Sequence, residues 1–119
     1  MRALILASIL FLSGCGYVVV PHWDNTEYND LVSVAALSSK GDCSVEQRDK
    51  LSEITTHALY YSKFLPANDL THEGIAQMNK TVQELNDAPK VSQAFCDIRL
   101  RAIHLMSTSM AKAVGGKPR

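Results

Sequence analysis

The chain opens on an apolar run, Ala3–Leu12, with Ser8 its one polar residue, and then changes character. Ser13-Gly14-Cys15-Gly16 interrupts the run. Val18-Val19-Val20 followed by Pro21 reads as extended chain, because β-branched residues and proline fit a helix interior poorly. From Thr26 onward apolar positions recur at helical spacing. Tyr28, Leu31, Val32 and Ala35 share one face of a first helix, with Thr26 as its cap and Gly41 as its stop. Ser44-Val45-Glu46-Gln47 has the form of a capping box and opens a second helix. Its stripe is Leu51, Ile54, Ala58, Tyr61 and Leu65, and Pro66 ends it. Glu46 and Lys50 are expected to pair on its outer face, four residues apart.

A third helix, starting near Asp69–Thr71, aligns Ile75, Met78, Val82 and Leu85 and stops at Asn86-Asp87. Gly74 in its first turn costs ~1 kcal/mol relative to alanine. Asp87-Ala88-Pro89 is expected to open a fourth helix, with the proline where its missing N–H does no harm. There Val91, Phe95, Ile98, Ala102 and Leu105 form a stripe, which Leu100, Ile103, Met106 and Met110 broaden until Gly115. So apolar a helix is predicted to be the central one. Four helices with short connections predict an all-α fold, a small antiparallel four-helix bundle over residues 26–114. Residues 115–119, with Lys117 and Arg119, read as a flexible basic tail that also reaches back to Lys112.

The N-terminal run has the parts of a secretory signal: Arg2 for positive charge, Ala3–Leu12 as the apolar core, and small residues after it. Leu12-Ser13-Gly14-Cys15 resembles the lipobox of bacterial lipoproteins. The resemblance implies that signal peptidase II removes residues 1–14 and that Cys15 carries covalent lipid, leaving 15–25 as a lipidated tether. Three acyl chains on one cysteine, as in that family, would make release from a bilayer negligible, since each buried methylene contributes ~0.8 kcal/mol. The alternative is a retained membrane helix over residues 3–20. The break at Ser13–Gly16, the β-branched second half and the lack of a basic flank argue against it. Gly16, rather than aspartate, follows Cys15. By the family's sorting rule that implies the outer membrane, facing the periplasm.

Taking fourteen residues from 119 leaves 105, enough for one modest core. Loss of Arg2 leaves eleven basic against twelve acidic side chains, so no basic footprint for nucleic acid exists. Of the three cysteines, Cys43 and Cys96 remain after Cys15, and in an exported chain two cysteines read as a disulfide. A bridge closing a loop of about 54 residues contributes about 4 kcal/mol by the chain-entropy argument. In an up-down bundle the start of helix two and the first turns of helix four share one end, so the pairing and the topology agree.

Candidate chemistry is sparse. His22, His57, His72 and His104 lack metal-motif spacing, and Glu53/His57, four apart, are expected as a hydrogen-bonded pair, with a two-ligand corner of a metal site as the alternative. No nucleophile motif places a serine beside a base, and Asp49/Glu53 and Asp24/Glu27 read as surface charges. Asn79-Lys80-Thr81 matches a glycosylation sequon by chance. No catalytic set, cofactor or small-molecule substrate is therefore expected. Trp23 is expected either to cap the open end of the core or to lie at head-group level. Tyr60 and Phe64 lie beside the core stripe of helix two. They either pack under the following loop or form a candidate partner-binding pair.

The plan of lipidated cysteine, short tether, four helices and one disulfide is similar to the pilotin lipoproteins of type II secretion, which bind a helical segment of a secretin between helices. The resemblance is architectural and carries no binding positions. The expected function is a membrane-anchored module that binds another cell-envelope protein as assembly factor, accessory subunit or inhibitor. Two alternatives stand beside it: a phage- or plasmid-encoded exclusion or lysis lipoprotein, and a small envelope enzyme or metal binder.

Overall fold

The computed structural model describes residues 22–88 and 91–119, so the lipobox, Cys15 and Pro89 lie outside the described residues. Among the described residues four α-helices follow in order: α1 (Asn25–Ser39), α2 (Val45–Lys63), α3 (Asp69–Asp87) and α4 (Gln93–Gly115). α1 packs against α2 and α4, and α3 packs against α2 and α4, which closes a four-cornered antiparallel bundle. No helix is central. α4 occupies a corner like the others, which corrects the expectation drawn from its apolar circumference.

Each helix buries a seam with alternating steps of three and four. α3 contributes Ile75, Met78, Val82 and Leu85, all at 0% exposure and all on the predicted stripe. In the other helices small or polar residues fill seam positions: Glu27, Leu31, Val34 and Ser38 on α1, and Leu51, Thr55, Ala58 and Ser62 on α2. Cys96, Leu100, Ile103 and Ser107 do so on α4, with Val114 one residue from its end. The hydroxyls are satisfied within their own helices. Ser38 Oγ donates to the Val34 carbonyl at 2.8 Å and Thr55 Oγ1 donates to the Leu51 carbonyl at 2.8 Å. Such back-bonding lets a short polar side chain sit in a core without an open donor.

The α4 stripe predicted from Phe95, Ile98, Ala102 and Leu105 is corrected. Ile98 and Leu105 are 67% and 62% exposed, and the residues expected only to broaden the stripe, Leu100 and Ile103, are buried. On α1 the buried face is likewise rotated by one position, leaving Val32 exposed and Tyr28 partly buried.

The helix starts follow side-chain acceptors. Asp24, not Thr26, caps α1, its Oδ1 accepting from the Glu27 amide at 3.0 Å. Ser92, not Asp87, caps α4 by accepting from the Phe95 amide at 3.1 Å. Asp87 is instead the last residue of α3. At α2, Ser44 Oγ accepts from the Gln47 amide at 3.3 Å as expected. The reciprocal arm of the capping box is not made, because the Ser44 amide donates to Asp42 Oδ1 at 2.9 Å instead. Gly41 sits at φ +66, the left-handed position that ends α1.

Cys43, just before α2, and Cys96, in the first turn of α4, lie at disulfide distance with a Cα–Cα separation of 6.1 Å. They tie the end of the bundle that carries the α1–α2 loop. At the other end the C-terminal tail is not free, contrary to expectation. The Trp23 amide donates to the Pro118 carbonyl at 2.9 Å, and the Arg119 guanidinium lies 4.8 Å from the centre of the Trp23 ring. Trp23 packs against the core beside Tyr28, so it covers the open end of the bundle.

Candidate interaction surface

The end of the bundle where the chain enters is built around a buried charge. Glu27 is fully buried. Its Oε2 accepts from Asn68 Nδ2 at 2.6 Å and its Oε1 accepts from Lys117 Nζ at 3.3 Å. Lys117 Nζ also donates to Asn68 Oδ1 at 2.6 Å and to Thr71 Oγ1 at 3.2 Å. Asn68 Nδ2 reaches the Ser62 carbonyl at 3.2 Å as well. One network therefore joins the start of α1, the α2–α3 turn, α3 and the tail. In that turn Ala67 adopts φ 52, a left-handed conformation that turns the backbone toward the buried Asn68. Asp24 and Glu27, expected as surface charges, are a cap and a core residue.

The three helical histidines, His57, His72 and His104, each bridge neighbouring helices, and His22 lies exposed ahead of α1. His57 Nδ1 lies 2.7 Å from Asp30 Oδ2 on α1, which replaces the expected Glu53 pairing, and its ring stacks on Tyr61. His72 Nδ1 lies 2.8 Å from Ser62 Oγ, and His104 Nδ1 lies 3.0 Å from the Ala35 carbonyl. Asn79 is used internally, donating to Thr55 Oγ1 at 3.0 Å. The Glu46–Lys50 pair forms at 3.2 Å on the surface. Among the described residues no group of three or more His, Cys, Asp or Glu side chains gathers, and no helix is long and apolar enough to cross a membrane.

What the bundle does present is apolar surface in two places. Tyr60 and Phe64 stand on the outer face of α2 at 64% and 80% exposure, so they do not pack under the following loop. Leu70, in the first turn of α3, is 85% exposed on the same end. A groove of about 340 Å³ runs between α3 and α4, lined by Gly74, Gln77, Leu105, Met106, Ser109 and Met110. Gly74 forms part of its floor: a methyl group there would come within 2.8 Å of Met110 Sδ and push that flexible side chain aside, while Leu105 forms the outer lip.

Sequence reasoning singled out Tyr60 and Phe64 but missed this groove. Its signals were the glycine inside an otherwise apolar-striped helix and the doubled stripe of α4. Methionine walls suit an adaptable apolar site, since the thioether chain changes shape at little cost. No family model, curated protein or solved structure matches this chain.

Proposed function

We propose that this chain is a non-enzymatic, lipid-anchored module of the bacterial cell envelope that grips a helical segment of another envelope protein. The observation that carries the reading is the α3–α4 groove. It is open and almost wholly apolar, with Leu105 exposed at its edge and two methionines along its wall. An amphipathic helix laid into such a groove buries its apolar face by the same packing that holds the bundle together. The lipobox resemblance supplies the anchor, with Cys15 as the lipidated residue and the outer membrane, facing the periplasm, as the destination. The disulfide distance between Cys43 and Cys96 is in keeping with an oxidising compartment.

Two measurements test the parts separately. Cys15→Ser should yield an uncleaved or mislocalised product without acyl label, and unchanged processing would contradict the anchor. A photo-crosslinker at Ser109 should trap one defined envelope protein in cells, and Leu105→Glu should abolish that product while leaving the helical spectrum intact. A crosslink that survives Leu105→Glu, or none from a correctly localised protein, would remove the groove from the function.

A further inference from the structure

The two most exposed large apolar side chains among the described residues are Leu70 at 85% and Phe64 at 80%. Both stand at the end of the bundle that the tether enters. His22, Trp23 and Asp24 share a hollow there with Leu65 and Pro66, the residues that follow Phe64. On the other side of the same turn Leu70 borders a hollow with Ala67 and Lys117, next to the pinned tail. Cys15 precedes His22 by seven residues, which span at most about 25 Å even fully extended. The other end of α2 is roughly 28 Å away along the helix. On so short a leash the bundle cannot stand inverted with that far end on the bilayer.

We propose that this end seats on the membrane, with Phe64 and Leu70 inserted into the head-group and upper acyl layer and Tyr60 one turn above them. The inference rests on the lipid-anchor reading of Cys15. The chemistry fits a lipid surface. A ring and a branched aliphatic chain project from a turn, with the exposed Lys63 beside Phe64 and the exposed Arg119 stacked on Trp23 at the same end. Lys63 and Arg119 can meet lipid phosphates, with the exposed Asp69 beside Leu70 as the opposing charge, and tyrosine is at home at the interface. Seating this end stands the helices away from the bilayer plane. The α3–α4 groove then opens sideways toward the periplasm rather than against lipid.

The test uses the lipidated full-length product reconstituted into vesicles of phosphatidylethanolamine and phosphatidylglycerol, with and without brominated acyl chains. In a Trp23→Phe background, single variants Phe64→Trp and Leu70→Trp report the seated end, and Val45→Trp reports the opposite one. We expect bromolipid to quench the first two at least about twofold more than the third. Equal, weak quenching at all three sites in a chain whose mass shows acylated Cys15 overturns the seating and leaves the anchor standing. That end would then be a protein-docking surface. A mass without acyl chains overturns the anchor and the seating together. Should Trp23→Phe impair folding, hydrogen exchange of the unaltered protein gives the same decision. Amides of residues 64–70 should slow on reconstitution relative to the detergent-solubilised protein, and unchanged rates reject the seating.

Discussion

Replacing Lys117 by methionine keeps most of the side chain's length and removes its charge. Glu27 is then a carboxylate with no exposure and no cation, while Asn68 Nδ2 remains its partner. Removing one member of a buried ion pair costs about 3–5 kcal/mol, because the surviving charge stays desolvated. The reverse change, Glu27→Gln, should cost less. Lys117 lies beyond the end of α4 and is itself 11% exposed. It keeps Asn68 and Thr71 as acceptors and can turn toward water, so the loss is roughly that of one hydrogen bond to a charged group, about 1.5–3 kcal/mol. The two changes share one network, and the double variant should be milder than their sum. Urea unfolding followed by circular dichroism measures all three. For a domain of this size Lys117→Met should lower Tm by about 12 °C or more. A Lys117→Met variant within about 1 kcal/mol of the unaltered protein would refute the reasoning, as would strict additivity. Either result would mean that the tail does not hold the core charge.

Three further outcomes follow from local structure. Reducing the Cys43–Cys96 bridge should destabilise the bundle by about 2–5 kcal/mol, and an unchanged urea midpoint would show that the pair is not bonded in solution. Ala67→Gly should raise stability by up to about 1 kcal/mol, because relief of the left-handed alanine outweighs the added chain entropy; a loss would show that the turn is unstrained. The Asp42 carboxyl is held below the usual carboxylate range by the Ser44 amide, then by the Ser44 hydroxyl, with Lys40 assisting. A depressed folded-state pKa contributes stability that is present above about pH 4 and fades as pH falls through the folded value. Asp42→Asn should therefore flatten the acid limb of a stability–pH curve, and an identical limb in both proteins would remove Asp42 from that dependence.

The number of helices and their approximate spans were legible in the sequence because spacing, caps and stops agree with one another. α3 is the clearest case: its stripe is apolar at every seam position, so one face alone can be buried. Ser44 and Gly41 were legible for a similar reason, since each supplies a group the backbone lacks at that point. The pairing of Cys43 with Cys96 could be read from the cysteine count, and the up-down topology agreed with it. The apolar character of Tyr60 and Phe64 was visible too, although not the side to which they turn.

Tertiary structure decided the rest. α4 carries two overlapping apolar stripes, and periodicity cannot say which one its neighbours cover. The packing of α1 and α3 selects Leu100 and Ile103, and so leaves Ile98 and Leu105 in water. Glu27 looks like a first-turn surface acid until Lys117, ninety residues later, arrives to pair with it. The groove likewise forms only where Gly74 and Gln77 of α3 meet Leu105, Met106, Ser109 and Met110 of α4. In each case the deciding partner is distant along the chain, and a local pattern of polar and apolar residues holds no record of which distant side chain will meet it.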